Sequence, residues 1–139
     1  MRLSIDEYQN DRDRNDVVEL WRKVFSDDPP WNEPAALIAQ KQRFLPELFL
    51  VGRCGEVVVC TLVGGYDGVR GWMHHLATHP DHRRNGFARL LVEELQCRLR
   101  GLGCVKLNLQ VRDGNDVVVA FYERLGFGVE PRVSLGKRL

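Results

Sequence analysis

The apolar residues of this chain fall into two periods, and the alternation between them predicts its elements. Leu3 and Ile5 alternate with polar neighbours over residues 2–8, the period of a half-buried strand. Residues 11–15 then gather helix-opening side chains, and Val17, Leu20, Trp21, Val24 and Phe25 follow at helical spacing. The run Asp27-Asp28-Pro29-Pro30-Trp31-Asn32 breaks that helix, because two prolines fix φ and remove backbone donors. Asn32, with Glu33 and Pro34 behind it, predicts the opening of a second helix over residues 35–45, ended near Pro46.

Residues 48–51 and 56–64 read as two strands joined at Cys54-Gly55, a hairpin signal. A turn at Gly65-Tyr66-Asp67-Gly68 leads into a strand over residues 71–78, and residues 87–102 form one long amphipathic helix. Val105, Leu107, Leu109 and Val111 alternate along a half-buried strand, residues 104–111. Asp113-Gly114-Asn115 turns the chain into a short helix, residues 117–125, closed by Gly126, and residues 129–139 supply a final hairpin-like strand. Hairpins followed by strand–helix–strand predict an α/β fold: a mixed central sheet with helices on both faces. At 139 residues, the expectation is one domain, residues 1–139.

Composition narrows the partners. A net charge of +1 supplies no bulk attraction to nucleic acid or to an anionic membrane, so any polyanion must be held by a local site. No stretch approaches the roughly 20 apolar residues of a membrane span, and residues 1–6 turn polar too early for a signal peptide. Cys54, Cys60, Cys97 and Cys104 show no Cys-x-x-Cys spacing, so the expectation is reduced thiols in a cytoplasm and no metal.

The chemistry concentrates in Arg83-Arg84-Asn85-Gly86-Phe87-Ala88, between the strand closed by His79-Pro80 and the long helix. A loop with a glycine at its core, opening a helix, directs several backbone N–H groups at one spot and favours phosphate there. Neither a Walker Gly-x-x-x-x-Gly-Lys-Ser/Thr nor a dinucleotide Gly-x-Gly-x-x-Gly pattern is present. Taken alone, the hexapeptide also fits an ordinary strand–loop–helix connection with a surface arginine pair.

Arg-x-x-Gly-x-Ala after a strand and His-Pro resembles the acyl-CoA pyrophosphate loop of the GCN5-related N-acetyltransferase (GNAT) superfamily. Asn115 followed by Phe121-Tyr122 and Gly126-Phe127 resembles a second motif of that family, and the element order resembles its fold over essentially the whole chain. Pro-Trp-Asn at 30–32, Gly-Gly-Tyr-Asp-Gly at 64–68 and residues 135–139 resemble a small bacterial subgroup of YpeA type. The resemblance implies acetyl-CoA as co-substrate, bound by the backbone of Arg83, Arg84, Asn85, Gly86, Phe87 and Ala88 and along Leu76, Ala77 and Thr78. Leu76 would give the N–H that holds the thioester oxygen, Asn115 would contact the pantetheine arm, and Tyr122 would protonate the leaving thiolate as general acid. A phenol, protonated at neutral pH, suits that step.

The acceptor half is less defined. Peptide N-terminal acetyltransferases of this family carry a Glu where this chain has Gln110 in Gln110-Val111-Arg112-Asp113-Gly114-Asn115, and an amide is no base. Base candidates are His74, His75, Glu56 and Asp67; strict strand alternation would let only one of the two histidines face the cleft. Trp31, Asn32, Tyr66, Asp67 and His75 are candidates for the acceptor site. The implied function is direct acetyl transfer to a primary amine of a small molecule. The alternatives are a peptide N-terminal acetyltransferase or a non-catalytic CoA-binding regulatory module, and a homodimer is compatible with each.

Overall fold

The structure, a computed structural model, describes residues 2–139. The chain packs as two units, residues 1–109 and 110–139. In the first, Ser4–Glu7 (β1), Phe49–Cys54 (β2), Val57–Tyr66 (β3), Gly71–Thr78 (β4) and Leu107–Leu109 (β5) form a five-stranded sheet in the order β1-β2-β3-β4-β5. The first four strands are antiparallel and β5 runs parallel to β4, which gives the mixed sheet that the element order predicts.

Helices cover both faces of this sheet. On one face lie Asn10–Val24 (α1) and Pro34–Lys41 (α2), whose Val17, Leu20, Trp21, Leu37 and Ile38 form a buried cluster with Phe49, Val51, Val63 and Ala77. Each side chain of this size contributes about 1.5–3 kcal/mol when fully buried. Tyr8 stacks on Phe49 with ring centroids 4.3 Å apart. Against the other face packs Phe87–Gly101 (α3), with Phe87, Leu91, Val92, Leu95 and Leu99 as its buried stripe. Gly64 and Gly71 admit this helix closely: a Cβ on Gly64 would lie 2.4 Å from a Leu95 methyl, and one on Gly71 2.9 Å from a Leu99 methyl. The Cys54-Gly55 hairpin and the turn before β4 form as expected, with Gly55 at φ +64°.

Several boundaries differ from expectation. Glu33, not Asn32, caps α2: its carboxylate accepts from the Ala36 N–H at 2.9 Å, while Asn32 ends a short 3-10 turn, Pro30–Asn32. The strand expected over residues 104–111 shrinks to Leu107–Leu109, because its ladder with β4 spans only three residue pairs. In the second unit, Asp116–Arg124 (α4) is followed by Gly126 at φ +95°, as the sequence implies. Residues 129–139 form no strand; they are exposed throughout, and Pro131 interrupts the run of backbone donors that a ladder needs.

Candidate active site

Strand β4 departs from regularity at one point. Thr61 pairs with Ala77 and Val63 with His74, so three steps on β4 are matched by two on β3. The extra residue is a β-bulge, and His75 takes it up with φ +51°, a left-handed conformation uncommon outside glycine. Side-chain parity confirms the insertion. Gly71 and Ala77, six residues apart, would share a face in a regular strand, yet Gly71 faces α3 and Ala77 belongs to the α1/α2 cluster.

The bulge corrects an expectation drawn from strand alternation. His74 and His75 do not point to opposite faces; their rings meet edge to face, with Nδ1 atoms 2.7 Å apart. The His75 ring also packs against Trp21 and Phe25 of α1, at 4.7 Å between centroids in each case. Its Nε2 lies 3.1 Å from Oδ2 of Asp28, in the loop between α1 and α2. Thr61 fixes the bulge from below: its hydroxyl accepts from the Trp21 indole N–H at 2.8 Å and donates to the His75 carbonyl at 3.0 Å. Desolvation depresses the pKa of His75, with Asp28 opposing the shift; it also depresses that of His74, part of whose surface stays exposed, to about 4, with the His75 ring and Lys41 of α2 adding to the effect and Asp28 opposing it. Both rings are therefore neutral at pH 7.

Beside this pair opens a recess of about 320 Å³, walled by Trp21, Phe25, Pro30, Asn32, Asp28 and His75. Asn32 reaches Asp28 Oδ2 at 3.5 Å. Of the candidate acceptor residues, Asn32 and His75 thus share one recess. Trp31 is exposed and stands outside its lining. Tyr66 and Asp67 serve the turn before β4: the Tyr66 hydroxyl donates to the Gly68 carbonyl at 3.0 Å, and Asp67 Oδ1 accepts from the Val69 and Arg70 N–H groups. Those backbone donors, Arg70 first, hold the Asp67 carboxyl below its ordinary range and commit it to the turn. Glu56 lies at the β2–β3 hairpin, 3.8 Å from Arg12. It and Asp67 flank the two ends of β3, whereas the histidines stand opposite its middle.

Past the bulge, β4 loses its second neighbour. The ladder to β5 ends at Met73 and Leu109, so residues 74–78, including Leu76, Ala77 and Thr78, have no strand partner on that side among the described residues. This open edge leads through a 3-10 turn, Pro80–His82, into the Arg83–Ala88 loop. There Arg84 (φ +66°) and Gly86 (φ +74°) are both left-handed, a backbone that gathers successive N–H groups into an anion-binding concavity. The Asn85 side chain donates to the His82 and Arg83 carbonyls and braces the loop. The Phe87 ring is buried, and Ala88 follows in the first turn of α3. Arg83 and Arg84 are exposed. An open strand edge followed by such a concavity fits an extended chain ending in a pyrophosphate, the shape of coenzyme A.

In the second unit, Asn115 precedes α4, and its side chain makes no capping hydrogen bond. Tyr122, on α4, packs between Phe121 and Phe127, and burial pushes its phenol up to about 12. Gln110 donates to the Ser134 hydroxyl. Asp28 is the site residue that sequence reasoning missed. It read as one more helix-breaking polar residue, and only the fold brings it to a histidine 47 positions away.

The chain matches the Acetyltransferase (GNAT) family over residues 14–127. It is 42% identical over 134 residues to an acetyltransferase of Yersinia pestis (strain Pestoides F), covering 95% of this chain and 92% of that protein. With an acetyltransferase of Yersinia enterocolitica it shares 44% identity over 129 residues, 91% of this chain and 89% of the relative. Among solved structures, Ard1 from Thermoplasma volcanium aligns with a TM-score of 0.81 at 25% identity, covering 94% of this chain and 85% of that one. AAC(6')-Iy, solved with the bisubstrate analogue CoA-S-monomethyl-acetylneamine, aligns with a TM-score of 0.79 over 100% of this chain and 99% of that one; at 15% identity it speaks for the fold alone. The chain is therefore a member of the GNAT family of acetyltransferases, an acyltransferase by class.

Proposed function

We propose that this protein transfers an acetyl group from acetyl-CoA directly to a primary amine of a small molecule, and that residues 1–139 act as one catalytic domain. The observation that carries the reading is the open edge of β4, residues 74–78, running into the concavity of Arg84 and Gly86. Residues 83–88 would hold the pyrophosphate on backbone N–H groups, and Leu76, Ala77 and Thr78 the pantetheine arm. The Leu76 N–H would stabilise the negative charge that develops on the thioester oxygen, a contribution of about 3–4 kcal/mol where such donors are preorganised. Asn115 is assigned to the pantetheine arm. Tyr122 is the proposed acid for the leaving thiolate, and its raised pKa keeps the proton available at neutral pH.

The recess of Trp21, Phe25, Asn32, Asp28 and His75 is assigned to the acceptor. Its aromatic rings and the Asp28 carboxylate suit a cationic amine with an apolar body, and Glu33 lies 3.9 Å from Arg22, the cation on the same wall. A small molecule is favoured over a peptide because Gln110 stands where the peptide-modifying enzymes of the family carry a Glu.

Two measurements test this. Titration with acetyl-CoA should raise the melting temperature, and an amine panel scored by thiol release should give turnover; no stabilisation by acetyl-CoA removes the reading. In the active protein, Tyr122→Phe should lower kcat by about 100-fold or more, the usual range for a lost general acid, with acetyl-CoA affinity retained. An unchanged kcat would take Tyr122 out of the mechanism.

A further inference from the structure

The two histidines of the bulge and the carboxylate of Asp28 form one continuous hydrogen-bonded chain. His75 is its centre: Nε2 faces Asp28 Oδ2 at 3.1 Å and Nδ1 faces His74 Nδ1 at 2.7 Å. A carboxylate can only accept, so His75 donates through Nε2. A neutral His75 then has a lone pair on Nδ1, and His74 must donate its Nδ1 proton into it. That leaves the lone pair of His74 on Nε2, the one ring nitrogen of this chain with no hydrogen bond among the described residues, on a residue exposed to solvent. The backbone at this point is strained, and Thr61 and Trp21 hold it in place. A strained conformation held from several directions is what a functional constraint leaves behind.

We infer that His74 Nε2 is the general base of the acetyl transfer, with His75 and Asp28 as the positioning residues that fix its tautomer and Asp28 as the anion that favours the protonated pair. The inference rests on the acetyl-transfer reading above and supplies the base that reading lacks. An acceptor arriving as an ammonium ion loses one proton to His74 Nε2. The Nδ1 proton of His74 then crosses the 2.7 Å gap to His75 Nδ1, and the positive charge comes to lie beside the Asp28 carboxylate. The freed nitrogen lone pair forms the new C–N bond and the thioester C–S bond breaks. The thiolate takes its proton from the Tyr122 phenol, and the second nitrogen proton passes to the phenolate so formed, which restores the acid. Return of the shared proton and its release from His74 Nε2 to water restores the chain.

Several charged groups surround this chain; Arg22 and Glu33, 3.9 Å apart, line the same recess as His75. From α1 come the uncharged rings of Trp21 and Phe25, and from the following loop Asp28. From α2, Lys41 opposes protonation of His74. His75 is the histidine that lines the acceptor recess, and His74 lies beside it on the same face of the sheet. A serine-protease triad uses the same logic with one histidine fewer: an acid orients an imidazole whose far nitrogen does the work.

The test has two readouts. Histidine nitrogen NMR on the full-length protein, assigned with His74→Gln and His75→Gln, should find both rings neutral at pH 7 and His74 protonated on Nδ1. A His74 ring protonated on Nε2 at that pH overturns the inference. With the fastest amine of the panel, folded His74→Gln should lose about 100-fold or more in kcat while binding acetyl-CoA as before. Asp28→Asn should lose less and move the acid limb of the kcat/KM profile to lower pH, since the lost carboxylate makes the pair harder to protonate. If Asp28→Asn does not fold, His75→Asn reads the same limb. An unchanged kcat in His74→Gln, or an unmoved limb in the folded positioning variant, overturns the assignment. If no amine is acetylated, it is the acetyl-transfer reading that fails, and the NMR still decides whether the proton chain exists.

Discussion

The sheet slips register twice, and each slip sets an ionisable pair, yet the two pairs have opposite characters. Between β2 and β3 the shift falls at Gly52 and Arg53, where the Arg53 side chain turns inward to Asp13 of α1. Arg53 and Asp13 are 2% and 1% exposed; Arg53 Nη2 contacts both Asp13 oxygens, and Asp13 Oδ2 also accepts from the Gln9 N–H. Arg53 Nε also donates to Asp13 Oδ1, and Arg53 Nη1 lies 4.0 Å from the Asp6 carboxylate, so both partners are tied within the fold. Between β3 and β4 the shift sets His74 and His75 against Asp28, beside a recess and with one ring nitrogen open. A buried pair tied in this way anchors a helix to a sheet. A pair with an open end can exchange a proton.

Breaking the first pair should produce the largest loss. Asp13→Ala strands a buried guanidinium and should lower the unfolding free energy by about 3–5 kcal/mol in denaturant titration. Replacing both partners together with Leu and Met should recover most of it and leave acetyl transfer intact. A double variant with impaired kcat would show that the anchor also serves the site.

Thr61→Val comes next, because the isosteric valine deprives both the buried Trp21 indole and the His75 carbonyl of their partner. The expected cost is about 1–3 kcal/mol. It should also change the histidine NMR signals, which Asp13→Ala should not.

The smallest effect is a pH dependence. A histidine held neutral in the folded state binds fewer protons than in the unfolded chain, so stability rises with pH across the window between the two pKa values. For His74 that window runs from about 4 to 6.5, and the protein should lose stability as pH falls through it. The same scan on His74→Gln should be flatter there, while the double Asp13/Arg53 variant should keep the wild-type slope.

The residues proposed for the donor half were largely legible in the sequence. The Arg83–Ala88 loop, the strand before it and the Asn115–Tyr122 spacing are local patterns, and local patterns survive in a one-dimensional reading. The acceptor half was not. Alternation predicted opposed histidines, and the bulge placed them side by side; Tyr66 and Asp67 looked available, and the turn uses both. The expected final strand failed for a similar reason: residues 129–139 carry alternating apolar side chains, but a strand exists only where a ladder does.

By itself the sequence determined the family and the order of elements as far as the last helix, because each depends on residue type and short spacing. The tertiary structure decided which polar groups became a site. The bulge at His75, the meeting of Asp28 with it across 47 positions and the parting of β4 from β5 all follow from register and long-range packing, which no local pattern encodes.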